Sequence, residues 1–146
     1  MNEIIDKRTI FLDQTFSNKQ EVLEVIAKTS VHLNIADSEV AILEELVARE
    51  NMLSTSVGKG IAIPHCKSKN VKSSKIFLYR LSKEINWDED EPVSLVFAIL
   101  TNSDNSDHLS ILAKLSRNLL KENFLGKVKA ATSSEEIYEQ LTTILN

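Results

Sequence analysis

The residues with the most chemical content lie near the middle of the chain. In VGKGIAIPHCKS, Val57 to Ser68, an apolar run through Ile61, Ala62 and Ile63 is stopped by Pro64, and His65 and Cys66 follow. A core histidine would sit inside such a run. This one sits just past it, where a strand end can hold the ring toward solvent or a partner. Upstream, the loop NMLSTSVGKG carries the hydroxyls of Ser54, Thr55 and Ser56 together with Gly58 and Gly60. Hydroxyls and glycine-flanked backbone N–H groups suit phosphoryl oxygens. Arg49, closing the preceding predicted helix, offers a planar fork of donors that is always charged. His108, in NSDHLS, stands where the exit of an apolar strand meets a helix start. Sheets of the α/β class build sites there, and a helix N-terminus favours an anion. Two histidines, an arginine and a hydroxyl loop can therefore converge on one anion.

Each of these residues also has a plainer reading. His65 alone would pass for a loop histidine. Arg49 would pass for a cation complementing the end of a helix dipole, and His108 for a helix-start residue without a task. Other chemistries fit less well. His32, His65, His108 and Cys66 lack the clustered spacing of a zinc site. Adjacent side chains on an extended segment point opposite ways, which separates Cys66 from His65. No G-x-S-x-G elbow marks a serine hydrolase.

The elements that must position these residues can be read from periodicity and caps. Ser17-Asn18-Lys19-Gln20 fits a capping box, and Val22, Leu23, Ile26 and Ala27 recur at helical spacing, predicting a helix from about Ser17 to Leu33. Asp37 and Ser38 offer the next N-cap, for a helix through Val40, Leu43, Leu46 and Val47 to about Glu50. Asn51 to Gly60 then reads as a loop and Ile61-Ala62-Ile63 as a short buried strand. KIFLYRLS, Lys75 to Ser82, and PVSLVFAILT, Pro92 to Thr101, read as strands, the second apolar enough to be covered on both faces. NWDEDEP between them reads as an acidic turn. Leu109, Leu112, Leu115 and Leu119 follow His108 at helical spacing, and a last helix starts near Ser133 and carries Ile137, Leu141 and Leu145. Helices among a few strands predict an α/β sandwich, a mixed sheet flanked by helices on both faces.

Composition sets the outer limits. A chain of 146 residues suits one domain, and at this size folding buries roughly 70% of the unfolded surface. With 17 basic and 21 acidic residues the net charge is −4, without the basic excess of a nucleic-acid binder. No apolar run is long enough to span a membrane, and MNEIIDKRTI has no signal-peptide core. One cysteine cannot form an intrachain disulfide, so a reducing cytoplasm is the expected location.

The segment Glu50 to Cys66, ENMLSTSVGKGIAIPHC, closely resembles the phosphorylation-site signature of the enzyme IIA domains of the bacterial phosphoenolpyruvate-dependent sugar phosphotransferase system. The likeness is to the fructose and mannitol branch, which includes nitrogen-regulatory paralogues. The preceding ARE, and PVSLVFAIL, DHLSILAKLSRNL and SSEEIYEQL, resemble the matching parts of that family, so residues 1–146 are expected to form one enzyme IIA domain. The resemblance implies that His65 is the phosphorylated residue, that Arg49 helps hold the phosphoryl group, and that His108 lies beside the phosphohistidine. Cys66 stands where many members have glycine, and His32 matches no functional position. A neutral imidazole, with an unperturbed pKa of about 6.5, can attack a phosphoryl group carried by another phosphohistidine. Such transfer needs positioning and charge stabilisation, which Arg49, His108 and the Ser54 and Thr55 hydroxyls can supply without a metal, and no cofactor is expected. The implied donor is the phosphocarrier HPr, and the implied acceptor is a cysteine of an enzyme IIB domain coupled to sugar uptake through a membrane IIC component. The competing expectation is a regulatory, nitrogen-type paralogue whose phosphorylation state controls binding to a target protein. A hydrolase built on His65 and His108 would lack any metal-ligand or nucleophile pattern.

Overall fold

A nearly unbroken apolar run from Val93 to Leu100 makes the strand Glu91–Asn102 the centre of the molecule: Val93 and every residue from Leu95 to Leu100 are buried. The computed structural model describes residues 4–88, 91–104, 108–119 and 121–145, without the side chains of His108 and Leu109. In chain order its elements are β1 (Ile5–Gln14), α1 (Lys19–His32), α2 (Glu39–Met52), β2 (Ser56–Gly58), β3 (Ile61–Ala62), β4 (His65–Ser68), β5 (Lys75–Asp88), β6 (Glu91–Asn102), α3 (His108–Leu119), α4 (Glu122–Ala130) and α5 (Ser134–Leu145). The six strands form one mixed sheet in the order β1-β5-β6-β3-β2, with β4 also beside β6. β5 pairs antiparallel with β6, β1 parallel with β5, and β3 and β4 parallel with β6. On one face, Val22, Leu23, Ile26, Ile42 and Leu46 of α1 and α2 pack on Phe77, Val96 and Ala98. On the other, Ile111, Leu115, Val128, Ile137 and Leu141 of the last three helices pack on Ile76, Leu78, Phe97 and Ile99. Each of these side chains larger than alanine contributes about 1.5–3 kcal/mol by leaving water. The layered architecture agrees with the expected sandwich.

Several local expectations need correcting. Asn18, not Ser17, caps α1: its side chain accepts from Glu21 N, and the Glu21 carboxylate reaches back to Ser17 N at 3.0 Å, so the capping box is shifted by one residue. Helix α2 runs on to Met52, and the expected loop contains β2. The two-residue turn Lys59-Gly60 between β2 and β3 has φ of 57° and 78°, the positive pair that a tight hairpin needs. Strands β5 and β6 extend into the expected acidic turn as far as Asp88 and from Glu91; residues 89–90 lie outside the described residues. Four elements, β1, β2, β4 and α4, are absent from the sequence reading.

The largest correction concerns His65 itself. It lies beyond the end of β3, as expected, but it also opens another strand, β4. Ile61 faces Leu95, Ala62 faces Val96, His65 faces Ile99 and Cys66 faces Leu100, so β3 and β4 keep one register along β6. Pro64 interrupts the ladder without ending the extended path, because its carbonyl still accepts from Ile99 N at 3.0 Å.

Candidate functional site

The site is assembled at the break between β3 and β4. Strand alternation puts His65 on the face of Ile61, Ile63 and Ile99, toward the last three helices, while Ala62 and Cys66 face α1 and α2. The burial of Cys66 pushes its thiol up to about 12, which leaves it an inert small core residue. Beyond Ile63 the sheet narrows: β2 pairs β3, whereas β4 pairs only β6 among the described residues. Arg49, in the last turn of α2, therefore reaches His65 across the edge of the sheet.

Two contacts on the ring and a third on Arg49 set the arrangement. His65 Nδ1 lies 2.8 Å from the Ile63 carbonyl. Arg49 Nε donates to Nε2 at 3.2 Å. Arg49 Nη1 donates to the Leu53 carbonyl at 2.6 Å. A carbonyl only accepts and a guanidinium only donates, so the proton belongs on Nδ1 and the lone pair on Nε2. Burial holds the His65 pKa below the ordinary imidazole value of about 6.5, with Arg49 acting in the same direction and the Ile63 carbonyl and Glu50 opposing. The arrangement is a neutral imidazole with one nitrogen tied back and the other, nucleophilic, nitrogen beside a fixed cation.

The other expected residues fall in different places. Ser54 Oγ accepts from Ser56 N at 3.2 Å, and a hydrogen bond from Ser54 lowers the pKa of Asp88 on the β5–β6 hairpin. Thr55 was expected at the phosphoryl group, but it is buried and its hydroxyl is donated to Glu50 Oε1. It anchors the loop from inside. His108 is the first residue of α3, at the exit of β6; its side chain lies outside the described residues. His32 ends α1 and is no part of this cluster. Among the described residues no group of three His, Cys, Asp or Glu side chains could hold a metal ion, and no helix is long and apolar enough to cross a membrane.

Two residues of this neighbourhood were not anticipated. Glu50 is buried, and its Oε2 accepts from Thr55 N and from Trp87 Nε1, each at 3.2 Å. Glu50 is the neighbour of Arg49 in a charged run that reads as a solvated helix end. Its partner is an indole 37 positions later, which no local pattern reveals.

Comparison with known proteins places the chain in a family. The family model for the phosphoenolpyruvate-dependent sugar phosphotransferase system, EIIA 2, matches residues 3–144. A fructose-specific EIIA component of that system from Haloferax volcanii is 32% identical over 139 residues, covering 93% of this chain and 90% of that protein. Multiphosphoryl transfer protein 1 of Escherichia coli K12 is 30% identical over 138 residues, which are 93% of this chain but 17% of that protein, so the chain spans under a fifth of that relative's length. Among solved structures, the nitrogen regulatory protein IIA-Ntr from Neisseria meningitidis superposes with a TM-score of 0.86 at 28% identity, covering 94% of this chain and 96% of that one. The mannitol IIA of Escherichia coli, solved in complex with its phosphorylated enzyme IIB, shares the fold, with a TM-score of 0.79 at 20% identity over 93% of this chain and 95% of that one.

Proposed function

The chain belongs to the EIIA 2 family of the phosphoenolpyruvate-dependent sugar phosphotransferase system, and from that premise we propose that it is a phosphoryl carrier that takes the group on Nε2 of His65. The observation that carries this reading is the pair of contacts on the ring: Nδ1–H on the Ile63 carbonyl and Arg49 Nε on Nε2. The Nε2 lone pair attacks the phosphorus of a phosphohistidine on the donor. The new N–P bond forms as the donor's N–P bond breaks, and the donor imidazole leaves with that electron pair. No proton has to move on this side. The ring gains positive charge as the bond forms, and the Ile63 carbonyl is already placed to accept from Nδ1–H. Arg49, displaced from Nε2 by the incoming group, is positioned to donate to its oxygens. In the second step a thiolate on the acceptor attacks the same phosphorus, and Nε2 leaves with its lone pair restored.

The donor in this reading is HPr and the acceptor is a cysteine of an enzyme IIB in sugar uptake. The family's name, the fructose-specific relative and the complex of a mannitol IIA with its IIB support it. His108 stands as a supporting residue for the phosphoryl group, and Ser54 as a hydroxyl at its edge. The regulatory reading, in which the phosphorylated state controls binding to a target protein, is supported by the likeness to IIA-Ntr and by a Bradyrhizobium nitrogen regulatory protein 34% identical over 130 residues. The two share the first half-reaction and differ in the second. Incubation with phosphoenolpyruvate, enzyme I and HPr should load one acid-labile phosphoryl group, and His65→Ala should load none. Onward passage to a IIB cysteine supports transport; a loaded protein that passes it to no IIB supports regulation. Loading of His65→Ala at the normal rate would refute both.

A further inference from the structure

Arg49 can face Nε2 of His65 only if its other anchor, the Leu53 carbonyl, stays in place. That anchor has little apolar support: the Met52 and Leu53 side chains are 81% and 71% exposed. The next buried residue is Thr55, 4% exposed. Both of its donors go to one carboxylate, N to Glu50 Oε2 at 3.2 Å and the hydroxyl to Oε1. The same Oε2 accepts from Trp87 Nε1 at 3.2 Å. Glu50 is 6% exposed and, among the described residues, forms no ion pair. A carboxylate buried among neutral donors is costly to keep, and an apolar side chain would fill the same space without that cost. What the carboxylate provides is geometry: it sits one residue after Arg49 and fixes the chain two residues beyond Leu53.

We propose that Glu50 is a positioning residue: with Thr55 and Trp87 it pins the loop after α2, and so presents the Arg49 guanidinium to Nε2 of His65. The role rests on the reading of His65 as the phosphoryl acceptor, and the positioning acts through Arg49. Trp87, at the end of β5, ties the β5–β6 hairpin into the same contact. Substitutions here should therefore lower the rate of transfer within the bound complex and leave the apparent KM for the donor unchanged.

The test is a set of variants read in two ways. Glu50→Gln can keep all three bonds, its amide oxygen taking the place of Oε2 and its NH2 donating to the Thr55 hydroxyl. It should load phosphate at close to the wild-type rate. Thr55→Val removes only the hydroxyl and Glu50→Ala removes the whole acceptor; a loss of about tenfold or more is expected, since misplacing a positioned group by an ångström can cost roughly a hundredfold. In an Arg49→Ala background neither substitution should slow loading further. A merely structural role would instead lower the melting temperature and leave the rate of the folded protein unchanged. Should Glu50→Ala not fold, Thr55→Val carries the test. The second reading uses no transfer at all: by nitrogen-resolved NMR of the unphosphorylated protein, the Arg49 Nε–H bond to His65 should be present in wild type and Glu50→Gln, and lost in Thr55→Val. If that bond persists in Thr55→Val, or if Thr55→Val loads at the wild-type rate, the proposal is overturned. If wild type itself loads no phosphate, the carrier reading fails on its own, and the NMR comparison still decides whether Glu50 places Arg49.

Discussion

Among the described residues, two arginines donate to carbonyls at the end of a helix, and only one of them also faces an imidazole nitrogen. Arg80, on β5, donates through Nη1 to the carbonyls of Val128, Lys129 and Ala131, at 3.0, 3.3 and 2.6 Å, and so closes the C-terminus of α4. Arg49 closes the C-terminus of α2 in the same way, with Nη1 on the Leu53 carbonyl, but it turns Nε to His65 Nε2. Both use the same physics, a cation at the negative end of a helix satisfying carbonyls that the helix cannot. The contrast lies in where the second donor goes. At α4 three carbonyls gather round one nitrogen; at α2 one carbonyl fixes the group and another nitrogen meets a neutral imidazole.

Substitution should separate the two sharply. Arg49→Ala should slow phosphoryl uptake by about 10²–10³-fold, the scale on which a preorganised donor contributes to a developing charge, with little change in melting temperature. Arg80→Ala should leave uptake per folded molecule unchanged and lower stability by about 1–3 kcal/mol, because it strands carbonyls in a partly buried setting. Thermal melts beside uptake rates for both variants check this, and a matched loss of stability in the two would dissolve the distinction. Arg49→Lys should fall between, slower by roughly tenfold, since a point charge cannot make both contacts. His108→Ala should have a smaller effect and should divide the half-reactions: uptake from HPr persists, and onward passage to a IIB cysteine is slowed. Wild-type rates in both steps would remove His108 from the site.

The smallest effect is that of pH. Burial and Arg49 depress the His65 pKa, so the ring stays neutral to lower pH than an ordinary imidazole. Uptake should therefore hold as pH falls through about 6.5 and decline only below it. The same shift has a stability consequence. As pH falls the unfolded imidazole takes its proton first, so the folded state loses stability from about 6.5 down to the lower native pKa and recovers it on return. An uptake inflection at or above 6.5 would show that the ring is not held as described.

The contrast between the arginines also marks how far the sequence could be read. Long periodic stretches such as α2, α3 and β6 were legible because each buries one clear face or two. Strand β1 was not: it is an edge strand with register shifts, and its buried positions Ile5, Thr9 and Ile10 do not alternate. Helix α4 was missed because it is short, contains Gly126 and has Lys121 as its N-cap, with no side-chain cap bond. His65 and Arg49 could be found from the proline and the helix end, and from the family signature. The inward turn of Thr55 could not, since its hydroxyl looks identical whether it faces a ligand or Glu50. The passage of the extended chain through Pro64 was equally hidden, because a proline normally ends a central strand and here falls where only its carbonyl is needed.

The central claim is that Nε2 of His65 receives the phosphoryl group while Nδ1 keeps its proton on the Ile63 carbonyl. Histidine-labelled protein loaded from phosphoenolpyruvate through enzyme I and HPr, and observed by phosphorus and nitrogen NMR at mildly alkaline pH, tests it directly. One phosphorus signal coupled to Nε2 of His65 is the expected result. Phosphorus coupled to Nδ1, or carried by any residue other than His65, would contradict the account.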